Sequence, residues 1–153
     1  MKIPFISSKP RDPVVCRHGR IALASQPSEA DLDNWAADGT GLVVNSRTPE
    51  ETAGLPFDLA RAVAERGMQY VELPIGGPYG ASPELTVRLG ALLEAHPDRG
   101  VVLHCRSGTR SAHLYAAWLI ASGEAPDAPF DTMSWPGSRD MAMVQALLPA
   151  ASA

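Results

Sequence analysis

A chain of 153 residues with 45% hydrophobic and 20% charged side chains has the make-up of one globular domain, whose core needs no structural metal or disulfide framework. A net charge of −4 without a basic stripe excludes nucleic acid as an expected partner. The longest apolar run, Leu114 to Ala121, is eight residues, well short of a membrane span. The opening MKIPFISSKPRD lacks the apolar stretch of a secretory signal, so a cytoplasmic protein without a membrane partner is expected.

Residues 1–13, with Pro4, Pro10 and Pro13, read as an irregular arm, and residues 14–150 as a single domain. Val14 to Ala24 is an apolar stretch with a hairpin or bulge at Gly19. Ser28 caps a helix carrying Leu32, Trp35 and Ala36, which Gly39 stops. Leu42, Val43 and Val44 form a buried strand ending at Asn45, and SRTPEETAGLPF reads as loop. A helix over Asp58–Arg66 and a strand over Tyr70–Leu73 follow, then the glycine- and proline-rich loop PIGGPYGASP. Ser82 as cap and Pro83 start the next helix, with a core stripe of Leu85, Leu89, Leu92, Leu93 and His96. Val101 to His104 is a third buried strand, Ser111 to Ser122 a largely apolar helix, and a Pro-rich connector leads to a short helix over Met141–Leu148. Strands alternating with helices predict an α/β fold: a central, mostly parallel sheet flanked by helices, with the ligand site beyond the carboxyl ends of the strands.

His104 and Cys105 stand at such an end. The loop CRSGTR runs from the third strand into a helix. Gly108 admits a positive φ, so the amides of Arg106, Ser107, Gly108 and Thr109 can converge on one point, where the helix dipole adds positive potential. A cysteine at the rim of such an anion cradle is stabilised as the nucleophilic thiolate. Arg110 closes the cradle with two parallel N–H donors, and Ser111 can donate to the leaving sulfur. A buried structural cysteine is the plain alternative, but it does not call for two arginines and two hydroxyls within six residues. The two cysteines, Cys16 and Cys105, and the scattered His18, His96, His104 and His113 show no metal-ligand spacing, and no metal or cofactor is expected.

The run HCRSGTRS resembles the cysteine phosphatase signature HC-x-x-G-x-x-R-[ST], one residue shorter, and also the loop of single-domain rhodaneses. The stretch SQPSEADLDNWAADGTGLVVNSRTPEE, residues 25–51, is similar to the opening of the beta-lactamase-hydrolase-like phosphatase-like family, in which Gln-Pro precedes a helix and a V-N-x-R strand end precedes acidic residues. The resemblance spans about residues 19–122. It implies a cysteine-phosphatase fold, like the dual-specificity phosphatases, with a loop of rhodanese length; members are labelled as candidate phosphatases or candidate sulfurtransferases.

Two chemistries compete for this loop. Cys105 to Arg110 is six residues, one fewer than the phosphatase signature, so the cradle has one amide fewer, and a smaller ring suits a single sulfur better than three phosphate oxygens. PIGGPYGASP, where a phosphatase keeps its proton donor, has no Asp or Glu; Glu72, Glu84, Asp131 and Asp140 lie elsewhere without a spacing that places them. The expected function is therefore sulfur transfer through a Cys105 persulfide, from a sulfur donor to a thiol acceptor. The alternative is a protein tyrosine or dual-specificity type phosphatase acting through phosphocysteine. A non-catalytic module that binds a small anion is the third possibility.

Among other residues, His104 is expected to hold the loop through backbone hydrogen bonds, since strand alternation turns it away from Cys105. Arg47 either helps bind the anion or pairs with Glu50 or Glu51. Tyr79 reads as a solvent-facing loop residue rather than a lid. Cys16 has no sequence argument for a disulfide with Cys105. His113 reads as core or as support for the loop, and Trp35, Trp118 and Trp135 as packing residues.

Overall fold

The computed structural model describes residues 12–150; the irregular arm expected over residues 1–13 lies almost wholly outside them. The first hairpin comprises β1 (Val14–His18) and β2 (Ile21–Ala24), turning at Gly19, whose φ is 58°. Then come α1 (Glu29–Ala37), β3 (Thr40–Asn45), α2 (Pro49–Ala53), α3 (Leu59–Glu65) and β4 (Gln69–Glu72). A single 3₁₀ turn (Gly77–Tyr79) precedes α4 (Pro83–Ala95), β5 (Gly100–His104), α5 (Thr109–Ala121), α6 (Pro129–Thr132) and α7 (Met141–Leu147).

The sheet has the order β1-β2-β5-β3-β4, antiparallel between β1 and β2 and parallel elsewhere. Because successive strand residues face opposite sides, the apolar runs divide between two cores. Leu23, Leu42, Val44, Val101 and Leu103 pack against α4, α5 and α7 on one face. Ala22, Ala24, Val43 and Val102 pack with Leu32, Trp35, Leu59 and Val63 of α1 and α3 on the other. The α/β class and the mostly parallel sheet agree with the sequence; several details do not.

Residues 49–53, expected as loop, form α2, nucleated by a capping box in which Thr48 Oγ1 accepts from Glu51 N–H and Glu51 Oε1 accepts from Thr48 N–H. The connector contains α6. Ser82 stands at the start of α4 but makes no capping bond through its side chain. His96 is not part of the core stripe: it ends α4 and bonds Gln69 at an exposed position. The last long helix begins at Thr109, two residues before the expected start, which brings its N-terminus up to the loop. No described helix is long and apolar enough to cross a membrane.

Candidate active site

β5 delivers Cys105 to the carboxyl edge of the sheet, where it is 1% exposed. Gly108 takes φ 94° and ψ −13°, which caps α5 and turns its N–H onto Cys105 Sγ at 3.1 Å. A side chain is disfavoured there on two grounds. The left-handed conformation disfavours one, and a Cβ would sit 3.2 Å from the Trp135 ring and 3.4 Å from the Ala24 carbonyl oxygen. The sulfur thus meets a backbone N–H at the positive end of a 13-residue helix.

Arg110, the second residue of α5, is held by three bonds. Nη1 donates to Glu51 Oε1 at 2.8 Å and to the Ile75 carbonyl at 3.0 Å, and Nη2 donates to Glu51 Oε2 at 3.1 Å. This fork keeps the Glu51 carboxyl well below the usual carboxylate range, and Glu51 in turn raises the Arg110 pKa above its ordinary value. Arg47 Nε lies 3.5 Å from Glu51 Oε2, and Arg47 Nη1 donates to Gln26 Oε1 at 2.9 Å. Gln26 N–H donates to the Arg106 carbonyl at 3.1 Å. A closed circuit therefore runs from Arg106 through Gln26, Arg47 and Glu51 to Arg110, tying both ends of the loop to residues 26–51. Of the two partners the sequence offered Arg47, the structure selects Glu51.

The remaining expected residues fall as follows. Arg106 and Ser107 are exposed, and the hydroxyls of Ser107 and Thr109 lie 3.0 Å apart. Ser111 is fully buried, with no partner for its Oγ among the described residues. His104 is fully buried, its Nδ1 3.3 Å from the Cys105 carbonyl oxygen. Burial pushes its pKa down to about 4, so the imidazole is neutral at pH 7 and Nδ1–H donates to that carbonyl. Tyr79 is 40% exposed, and its hydroxyl donates to Glu50 Oε2 at 3.3 Å.

Three of the four acids considered as proton donors are engaged elsewhere, and the fourth, Glu84, stands in the first turn of α4. Glu72 accepts from the Tyr70 hydroxyl at 2.8 Å, Asp131 pairs with Arg139 at 2.9 Å, and Asp140 caps α7. Cys16 pairs in register with Leu23, which pairs with Leu103. Two strand spacings and two residues of rise therefore separate it from Cys105, roughly 12 Å, too far for a disulfide.

Trp135, expected only as a packing residue, and His113, expected as core or as support for the loop, both bear on the site. Trp135 is 4% exposed, its Nε1 donates to the Ser138 carbonyl at 2.9 Å, and its ring lies against Gly108. His113 accepts from Asp140 N–H at Nε2 and bonds the Thr109 carbonyl through Nδ1, both at 2.7 Å. The C-terminal segment is thereby fastened to the first turn of α5. Ser46 and Gln26 were missed. Glu51 was noted only as a possible partner of Arg47, although the T-x-x-E capping box at residues 48–51 was legible.

A cysteine that meets a backbone N–H of a strand-to-helix loop, with a carboxylate-anchored arginine in the same loop, has the parts of a cysteine-nucleophile site. The chain belongs to the family described as beta-lactamase hydrolase-like protein, phosphatase-like domain, whose model matches residues 16–125. It is similar to the beta-lactamase hydrolase-like protein of Agrobacterium fabrum, 32% identical over 110 residues, covering 71% of this chain and 24% of that protein. The chain thus spans about a quarter of the length of the curated relatives it matches. Among solved structures, Tk-PTP in its active form is 25% identical with a TM-score of 0.70, covering 84% of this chain and 88% of that one. The kinase associated phosphatase shares the fold at 16% identity and a TM-score of 0.67, covering 80% and 83%. These descriptions speak of phosphatases and not of sulfur transfer, so they favour the alternative drawn from the sequence over its first expectation.

Proposed function

We propose that the domain is a cysteine-dependent phosphate monoester hydrolase with Cys105 as nucleophile. The observation that carries this reading is the 3.1 Å contact from Gly108 N–H to Cys105 Sγ, at the N-terminus of α5 and beside the anchored Arg110. That N–H and the helix terminus supply positive potential at the sulfur, which suits a thiolate and an anion bound next to it. The thiolate attacks phosphorus, the P–O bond to the leaving group breaks, and water then hydrolyses the phosphocysteine to phosphate and free thiolate. Arg110 and the loop amides Arg106 to Thr109 hold the phosphoryl oxygens. The glycine loop 76–81 supplies no carboxylic acid. The leaving oxygen must therefore depart with little help, and aryl phosphates with acidic leaving groups are the preferred class.

One specific observation favours a second reading, sulfur transfer. The six-residue loop and the missing proton donor suit a reaction whose leaving group needs no proton. In that case the thiolate attacks a sulfane sulfur, the S–S bond breaks, sulfite or another stable anion leaves, and an acceptor thiolate later takes the sulfur from the persulfide.

Turnover of p-nitrophenyl phosphate, compared with that of alkyl phosphates, tests the first reading. The expected result is hydrolysis of the aryl ester, little of the alkyl esters, and none of either by Cys105→Ser. Absence of aryl phosphate turnover together with thiosulfate-dependent sulfur transfer would replace it by the second.

A further inference from the structure

Two hydroxyls on the buried side of the site have no hydrogen-bond partner among the described residues, those of Ser46 and Ser111, at 1% and 0% exposure. Ser111 follows Arg110 and was expected beside the sulfur from the sequence. Ser46 comes from a different element, the residue after β3. Its N–H donates to the His104 carbonyl at 2.9 Å, which extends the β3–β5 ladder by one step and sets Ser46 opposite Cys105. Side-chain alternation fixes its direction. Val44 and Leu103 belong to the core under α4 and α5, whereas Val43 and Val102 belong to the core under α1 and α3. The Asn45 side chain follows Val43, bonding Tyr70 of that second core. Ser46 therefore follows Val44, as Cys105 follows Leu103, and the two project from neighbouring strands onto one face. In-register neighbours stand about 5 Å apart, a gap that a χ1 rotation of the serine can bridge.

The backbone of Ser46 is fixed from both sides. Its carbonyl accepts from Ile75 N–H at 3.0 Å, and the Ile75 carbonyl is the one that holds Arg110 Nη1. Only the hydroxyl is uncommitted, in a place that admits no water-facing escape. A buried, unpaired hydroxyl beside a nucleophile is a donor waiting for charge.

We propose that Ser46 Oγ–H donates to the charge that Cys105 Sγ carries as free thiolate and as the leaving sulfur when the covalent intermediate breaks down. The inference rests on Cys105 being the nucleophile, in either reading above, and adds a donor from β3 to those supplied by the loop and α5.

The test uses Ser46→Ala and Ser46→Thr in a Cys16→Ser background, so that Cys105 is the only thiol. The first readout is the pH profile of alkylation by iodoacetamide, which needs no substrate. With Ala the midpoint is expected to move up by about one pH unit, reflecting a tenfold loss of thiolate preference, while Thr keeps its hydroxyl and the original midpoint. The second readout is turnover of p-nitrophenyl phosphate, where Ala lowers kcat about tenfold and leaves KM unchanged. The urea midpoint of the Ala variant stays level or rises, because an unpaired buried hydroxyl is removed. If Ala does not fold, Ser46→Gly takes its place. Superimposable alkylation profiles for wild type and the Ala or Gly variant would overturn the proposal. Lack of turnover by wild type with an intact alkylation shift would instead count against the phosphatase reading and leave the Ser46 contact standing.

Discussion

Gly108→Ala perturbs the site at its hinge. A non-glycine residue held at φ 94° costs about 1–2 kcal/mol in backbone conformation alone. The new methyl would also lie 3.2 and 3.3 Å from two ring carbons of Trp135 and 3.4 Å from the Ala24 carbonyl oxygen. Neither neighbour yields easily, since Trp135 is tethered to Ser138 and Ala24 lies within β2. Overpacking of that kind adds about 1–3 kcal/mol. The total, about 3 kcal/mol, is a large share of a typical domain's stability. The chain can relieve it by rotating the peptide before Gly108, but this takes the N–H off Cys105 Sγ. Loss of a charge-assisted bond worth about 1.5–3 kcal/mol corresponds to roughly a 10- to 100-fold fall in rate. Urea unfolding and p-nitrophenyl phosphate turnover measure the two routes together. We expect a clear fall in unfolding free energy, a rate loss of that size, or a division between them. Trp135→Leu in the Ala background should cost less than in the wild-type background by the part of the strain that falls on the ring, leaving the conformational part. A Gly108→Ala protein with both the stability and the turnover of wild type would refute the reasoning.

Glu51→Gln removes the charge that fixes the Arg110 fork but keeps an acceptor for Thr48 N–H. It should lower kcat/KM about 10- to 100-fold and weaken inhibition by inorganic phosphate, with about 1 kcal/mol lost in stability. Because the folded-state pKa of Glu51 is depressed, its contribution is fully present above the unfolded value of 4.5 and is lost progressively as pH falls from there through the folded value. The stability gap between wild type and the Gln variant, read by urea titration, should therefore be constant from neutral to mildly alkaline pH. His104 gives a slope at higher pH. Its pKa falls from 6.5 to about 4 on folding, so between these values the unfolded chain binds a proton that the folded chain does not. Stability is whole above pH 6.5 and declines toward pH 4, by at most about 3 kcal/mol from this residue. Urea titrations of His104→Leu across that range should lack this component of the slope.

The loop itself was legible because its signal is local. An apolar strand run, a cysteine, a glycine three residues on and a second apolar run all fall within Val101 to Ile120. Three of the four parallel strands, β3, β4 and β5, were legible for the same reason, since each is a short run rich in apolar residues between turn residues. The short α2 was missed because five residues are too few to show a helical hydrophobic period, and only its capping box announces it. The choice of Glu51 over Glu50 depends on Arg110, 59 residues away, whose planar fork donates to both oxygens of one carboxylate. Trp135 reads as ordinary packing because nothing in its neighbourhood points to Gly108. Ser46 was hidden by its dependence on register: alternation gives its face only once the pairing of β3 with β5 is known. The motif at residues 25–51, noticed as a pattern, proves to be the set of residues that fastens the two ends of the loop.

The measurement that bears most directly on Cys105 as a covalent nucleophile is the intact mass of wild type and Cys105→Ser, quenched in acid during turnover of p-nitrophenyl phosphate and, separately, of thiosulfate. The account predicts a phosphoryl adduct on the wild type in the first reaction, mapped to the peptide holding Cys105 and absent from the Ser variant. An adduct of one sulfur atom on the same peptide, with no phosphoryl adduct, would keep the nucleophile and change the transferred group. Substrate turnover by Cys105→Ser at the wild-type rate would contradict the central claim.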